Sequence, residues 1–289
     1  MQDFPNIADL LRRKGIWLDK RKSQHFLKRQ EVCSQIADLA ELAEQDLAIE
    51  VGAGLGNLSV ELAARAGRVV SVELDQAFAD WHGYLQASYP RLEFLYQDFL
   101  HVDLEQLVAE KKLSGRIFGI GNLPYQITSE ILFKFVDSPQ TFDALVFMVQ
   151  KEFAERVCAG PAAREAGALT YKVALRYEAV IELLVPAEEF LPPPKVESAV
   201  MVLRPLQSPL IRSVGHRKQV YRVLDKLFLY RRKTLSNILM QSGLVQHRQQ
   251  GLDALQRAGI IPERRPETLN LEEVLKLVDT LAEGTTAAG

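Results

Sequence analysis

Between residues 46 and 149 the chain alternates short apolar runs with helical patterns. Residues 47–51, 68–73, 92–96, 117–121 and 142–149 are short, apolar and rich in Val, Ile, Leu and Phe, and read as buried strands. Residues 57–66, 76–88, 103–112 and 129–136 lie between them and read as helices. Strand–helix alternation at this interval predicts a parallel sheet with helices on both faces. After Lys151 the rhythm changes. Two more apolar runs, 179–185 and 198–203, flank a segment containing Pro192-Pro193-Pro194, and an antiparallel pair closing one sheet edge is expected there. Arg204-Pro205-Leu206-Gln207-Ser208-Pro209 reads as a domain boundary. Beyond it Val220, Val223, Leu224, Leu227 and Phe228 recur at helical spacing, as do Leu235, Ile238 and Leu239, and residues 271–281 predict a last helix. The expected class is α/β: a Rossmann-like, mostly parallel sheet with an antiparallel closing pair, followed by a small all-helical domain.

Composition narrows the class of partner. A chain of 289 residues with 47% hydrophobic and 25% charged side chains is expected to be soluble and globular, with room for two domains. No apolar run approaches the roughly 18–20 residues that span a bilayer. The first nine residues are polar, without an apolar signal core, so a cytoplasmic protein is expected. Cys33 and Cys158 are far apart and the five histidines are scattered, which predicts neither a disulfide framework nor a metal site. The net charge of −2 hides an asymmetry. Residues 11–29 hold eight Lys/Arg against one Asp, and residues 204–233 hold nine against one Asp. Two basic blocks on an acidic body suit a polyanion-binding surface or a pair of solvated helical faces, and charge alone does not choose.

Candidate chemistry gathers at the strand ends. Glu50-Val51-Gly52-Ala53-Gly54-Leu55-Gly56 stands where the first strand meets the first helix of the sheet, and glycines there let a ligand approach the backbone. A dinucleotide fingerprint would put its third glycine at position 57, which is Asn57. E-x-G-x-G-x-G is instead the form used by enzymes that bind S-adenosyl-L-methionine. Glu73, ending the second strand, is placed to accept from ribose hydroxyls, and Asp98, after the third, from an adenine amine. Asn122-Leu123-Pro124-Tyr125 ends the fourth strand on the same edge. An exocyclic adenine amine is a poor nucleophile, because its lone pair is delocalised into the ring. Two acceptors on its hydrogens, the Asn122 amide oxygen and the Leu123 carbonyl, would draw the nitrogen toward sp³ geometry. Tyr125 would stack on the base. A proline turn with a core tyrosine also accounts for the tetrapeptide alone.

Taken together these residues resemble the rRNA adenine-N6,N6-dimethyltransferase family, most of all its bacterial small-subunit branch. The resemblance runs from about Ile7 to Leu281. It includes Asp9 to Gly15, Lys22-Ser23-Gln24-His25-Phe26-Leu27, Glu50 to Gly56, Glu73-Leu74-Asp75, Gln97-Asp98 and Gly121-Asn122-Leu123-Pro124-Tyr125-Gln126-Ile127-Thr128. It continues through Phe147 to Glu152, Phe190 to Val200, Phe228 with Arg231-Arg232-Lys233-Thr234-Leu235, and Arg265 to Leu269. Departures are Ser23 for a usual glycine, His25 for a frequent asparagine, Ala53 for a common proline and Gln126 for a frequent asparagine.

The resemblance implies three parts: a basic segment over residues 1–30 that closes on the cofactor, an S-adenosylmethionine-dependent methyltransferase domain over 31–205, and a helical RNA-contacting domain over 206–289. It implies cofactor contacts from His25, Leu27, Glu50, Gly52, Gly54, Gly56, Glu73, Asp98 and Asn122. Asn122, Leu123, Pro124 and Tyr125 would hold the target adenine, and Phe190 would cover its other face. Arg12, Arg13, Lys14, Lys22, Lys28 and Arg29 from the first block, and Arg217, Lys218, Arg222, Arg231, Arg232 and Lys233 from the second, would contact RNA. The implied substrate is a pair of adjacent adenosines in the 3′-terminal hairpin loop of small-subunit rRNA, met on an immature 30S particle by a monomeric protein that uses no metal and no membrane. The alternatives are a large-subunit rRNA dimethyltransferase, which tends to carry Ile where Leu123 stands, and a non-catalytic nucleic-acid-binding assembly or transcription factor on the same fold. Intact Asn122, Tyr125 and Glu73 argue against the latter.

Overall fold

The five apolar runs between residues 46 and 149 form five parallel strands. A computed structural model describes residues 4–14, 25–208, 210–211 and 213–286. Its first elements are α1 (Ile7–Lys14), the two-residue strand β1 (Phe26–Leu27) and α2 (Gln30–Asp38). The alternating core follows as β2 (Leu47–Val51), α3 (Asn57–Ala63), β3 (Arg68–Glu73), α4 (Ala79–Ser88), β4 (Leu92–Tyr96), α5 (Leu104–Lys111), β5 (Ile117–Asn122), α6 (Thr128–Asp137) and β6 (Ala144–Gln150). Then come α7 (Lys151–Cys158), α8 (Ala168–Ala174), β7 (Tyr177–Val185), β8 (Phe190–Leu191) and β9 (Ser198–Pro205). The tail is α9 (Val214–Leu229), α10 (Leu235–Gln241), α11 (Arg248–Ala258) and α12 (Leu271–Thr286).

The seven-stranded sheet runs β4-β3-β2-β5-β6-β9-β7. Neighbours from β4 to β6 pair in parallel, and β9 pairs antiparallel with β6. The two late runs do close one edge, with β9 inside and β7 outermost. All five residues of β2 are buried, as expected of a central parallel strand covered on both faces. Each Leu, Ile or Val withdrawn from water there contributes about 1.5–3 kcal/mol before chain entropy is counted. Asp46, just ahead of β2, accepts from the Arg116 and Ala43 amides and from the Arg116 guanidinium, and so fixes the start of β2 beside the start of β5. These bonds hold its carboxyl below the usual range, although burial opposes them.

The chain divides into two units, Met1–Ala154 with Val180–Pro205, and Glu155–Ala179 with Leu206–Gly289. The sheet, apart from the first three residues of β7, and the elements before it belong to the first. The second draws in residues 155–179, which the expected methyltransferase domain over 31–205 includes. The reason is local. Tyr171 on α8 is fully buried and its hydroxyl donates to the Leu269 carbonyl at 2.6 Å. Lys172 meets Asp225 on α9 at 2.7 Å. Helix α8 therefore finds its partners in the tail rather than on the sheet.

Candidate active site

From β2 the chain moves outward through β3 to β4, then returns to place β5 on the other side of β2. That reversal opens a crevice beyond the carboxyl ends of β2 and β5, the usual ligand position in such sheets. A cavity of about 340 Å³ occupies it, lined among others by Gly52, Gly54, Glu73, Asp98, Asn122 and Tyr125. Residues from the ends of four successive strands thus share one space.

On the β2–β3–β4 side the backbone is shaped for close approach. Gly54 has φ +55°, and a Cβ there would stand 2.9 Å from the Phe26 ring. Gly52 also lines the cavity, beside the Asn122 backbone carbonyl. Gly56 does not line it; it caps α3, where a Cβ would meet Leu85 at 2.5 Å. Glu73 is buried, and each carboxylate oxygen accepts one backbone N–H, from Gly54 at 2.8 Å and Asp75 at 2.7 Å. Each oxygen keeps a further lone pair for a hydroxyl donor. Burial raises the Glu73 pKa against those bonds. Asp98 lines the cavity with one oxygen capping the next turn through the Leu100 amide at 2.9 Å and the other 3.2 Å from His101. Glu50 lines the cavity floor. One of its oxygens accepts from both the Ser59 and Ser71 hydroxyls, and burial raises its pKa to about 7.

His82 was not among the expected site residues. It is fully buried on α4, stacked on Phe94 with ring centroids 3.7 Å apart. Its Nε2 lies 2.8 Å from the Gly54 carbonyl and its Nδ1 2.7 Å from the Tyr96 hydroxyl. A carbonyl only accepts, so Nε2 carries the hydrogen and Nδ1 accepts from Tyr96. Burial lowers its pKa to about 4, which keeps this neutral form. Glu73 and His82 therefore hold the two ends of Gly54. A lone histidine in a helical pattern carries no sequence signal for that task.

On the β5 side, the Asn122 side chain donates from Nδ2 to the His25 carbonyl at 3.0 Å. That fixes which arm of the amide is nitrogen and leaves the oxygen as an acceptor. The Leu123 amide is tied to the Met148 carbonyl at 3.0 Å. The Pro124 carbonyl accepts from Thr128 Oγ1 at 3.0 Å, within the turn that opens α6. The Tyr125 hydroxyl is 2.8 Å from Ser198 Oγ, and its ring stacks on His25 at a centroid distance of 5.7 Å. Phe190 does not line the cavity. It is 1% exposed in the core, paired through β8 with Leu27 of β1. Beside Tyr125 the structure places His25 instead. His25, Phe26 and Leu27 all line the cavity, next to Gly54 and Asn122.

The basic candidates separate by exposure. Arg12, Arg13, Lys28, Arg29, Lys218, Arg222, Arg232 and Lys233 are exposed and Arg231 is half-buried. Arg12 pairs with Asp9, and Arg29 with Glu189 at 2.6 Å. Arg217 departs from that expectation: it is buried with Val220, Tyr221 and Leu224 of α9 rather than exposed. Lys22 and the side chain of Lys14 lie outside the described residues. Among the described residues no group of three or more His, Cys, Asp or Glu could hold a metal, and no helix is long and apolar enough to cross a membrane.

Fold and site define a class, the Rossmann-like methyltransferases. The profile of the family described as ribosomal RNA adenine dimethylase matches residues 18–283. A ribosomal RNA small subunit methyltransferase A of Geobacter metallireducens is 37% identical over 268 residues, covering 92% of this chain and 96% of that relative. The protein of the same name from Listeria monocytogenes is 32% identical, covering 96% and 95%. Among solved structures, a dimethyladenosine transferase from Plasmodium falciparum superposes with a TM-score of 0.75 at 26% identity, covering 90% and 98%. The 23S rRNA methyltransferase ErmE does so at 0.66 and 26%, covering 89% and 99%. The chain belongs to the ribosomal RNA adenine dimethylase family and is an enzyme of that class.

Proposed function

We propose that this enzyme uses S-adenosylmethionine to dimethylate the N6 amines of two adjacent adenosines in the 3′-terminal hairpin loop of small-subunit rRNA, on an immature 30S particle in the cytoplasm. The observation that carries the chemistry is the Asn122 amide. Its nitrogen is held by the His25 carbonyl, so its oxygen is the arm available to an amine hydrogen. With the Leu123 carbonyl as second acceptor, the amine loses conjugation with its ring and its lone pair turns outward. Tyr125 offers its face to the base and is braced by Ser198.

The neighbouring cavity suits the cofactor by its donor set, spare lone pairs on Glu73 for hydroxyls, and by Gly52 and Gly54, which line it at positive φ and without side chains. Glu73, Asp98, Gly52 and Gly54 would hold it. S-adenosylmethionine, when bound, supplies an electrophilic methyl group on a sulfonium. The residues of this chain then act by position and electrostatics, holding the amine in line and stabilising the charge that grows on nitrogen. The methylated ammonium is strongly acidic and loses its proton without a dedicated base.

The small-subunit assignment draws on the curated relatives, each named for that subunit. Its test is parallel incubation of unmodified small and large subunits with labelled S-adenosylmethionine, followed by mapping of dimethyladenosine. Label on two adjacent adenosines of the 3′-terminal hairpin is expected. Label confined to large-subunit rRNA, or none on either subunit, sinks the assignment.

A further inference from the structure

Asn57, the residue that breaks the dinucleotide fingerprint, has a use that the glycine motif does not explain. Residues 25–28 form a strap beside the cavity, extended through β1 at Phe26–Leu27. One edge of the strap pairs with β8, with Phe26 opposite Leu191 and the Lys28 amide donating to the Glu189 carbonyl at 2.8 Å. In extended chain, alternate carbonyls face opposite edges. The His25 and Leu27 carbonyls therefore share the other edge, and an asparagine grips each. Asn122 Nδ2 donates to the His25 carbonyl at 3.0 Å, and Asn57 Nδ2 to the Leu27 carbonyl at 2.9 Å. Asn57 is itself fixed. Its amide nitrogen also reaches Cys33 Sγ at 3.2 Å, its backbone carbonyl accepts from Gln30 at 2.9 Å, and it is buried at the first position of α3.

We propose that Asn57 is a positioning residue for methyl transfer: by holding the Leu27 carbonyl it pins the register of the strap, and the strap's His25 carbonyl then sets the polarity of the Asn122 amide. A strap displaced by one residue would turn the gripping carbonyls toward β8 and leave the Asn122 nitrogen without its acceptor. Nothing would then stop that nitrogen from facing the substrate amine, where a donor repels. This inference rests on the function proposed above for its catalytic part, but the coupling from Asn57 to Asn122 is independent of it.

The test compares Asn57→Asp, which is isosteric but has no donor, and Asn57→Ala with wild type. An acid at the first turn of α3 suits the helix dipole, so the aspartate variant keeps a reason to fold. Amide hydrogen exchange at Phe26 and Lys28 should quicken in both variants. The Asn122 side-chain amide resonances, followed by ¹⁵N NMR without substrate, should lose their hydrogen-bonded shift. At saturating methyl donor and RNA, kcat should fall about tenfold, the equivalent of one oriented hydrogen bond. Unchanged exchange, or unchanged Asn122 resonances, overturns the pin. A raised KM for the donor with kcat within twofold of wild type overturns the positioning role and leaves Asn57 a structural part of the glycine loop. Wild-type protein that methylates no RNA would refute the proposed function, while exchange and NMR would still decide the coupling.

Discussion

Single side chains set the polarity of this site. Asn122→Ala removes the amide acceptor and should lower kcat by about 10²–10³-fold with RNA binding largely retained; rapid-quench methylation beside a filter-binding assay separates the two. Glu73→Ala removes a carboxylate placed for hydroxyl donors, and calorimetry with S-adenosylmethionine should show affinity falling about 10–100-fold. Glu50 and His82 make a pair of opposed titrations. Burial raises Glu50 from 4.5 to about 7, so the folded state binds its proton more readily than the unfolded chain, and its contribution to stability is lost as pH rises through that interval. Burial lowers His82 from 6.5 to about 4, so its contribution is lost as pH falls through that interval. Each shift corresponds to about 3 kcal/mol, and in the shared window the two slopes oppose. Glu50→Gln, whose amide oxygen can still accept from both serines, should therefore gain stability over wild type progressively between pH 4.5 and 7. Urea titrations at several pH values check this; a constant difference would mean that Glu50 does not titrate there.

At the scale of elements, the glycine turn between β2 and α3 is the joint on which the site depends. Gly56 has φ +82° and its missing Cβ is the space that Leu85 fills. Gly56→Ala should destabilise the fold by about 1–3 kcal/mol through left-handed strain and overlap, read as a lower denaturation midpoint at unchanged m-value. The core strands were legible because the parallel strands are buried on both faces, which leaves near-continuous apolar runs in the sequence. Glu73, Asp98 and Asn122 stand out as candidates because each ends or follows one of those runs, and Glu50 because it opens the glycine motif. What was not legible has a common cause. The β1–β8 ladder is two residues long on each side, too short for any periodicity, and its partners are far apart in sequence. His82 looks like any polar residue on a helix until the Gly54 carbonyl is beside it. Phe190 was expected over the base from its motif alone; the ladder turns it into the core, and His25 meets Tyr125 instead.

For the whole molecule, the modest net charge of −2 means that affinity for a polyanion must come from its basic blocks. Should six to ten of the exposed cations contact phosphates, binding to small-subunit particles would fall about 10³–10⁵-fold between 50 and 200 mM salt. Glutamate at both Arg231 and Arg232 should weaken particle binding, measured by sedimentation, and leave cofactor affinity unchanged. Unaltered binding would reduce that block to a solvated face. Arg217→Ala, by contrast, removes a buried side chain and should lower the melting temperature without changing the salt slope. One consequence of the strap concerns time rather than affinity. His25 and its partner Pro192 are separated by 167 residues of chain, so the contact closes a long loop. A ribosome adding roughly 5–20 residues per second needs about 8–30 s to make that stretch. In a nascent chain the five parallel strands can therefore be complete while the strap still lacks its partner strand, and β1 gains β8 only once residues 189–192 have been made.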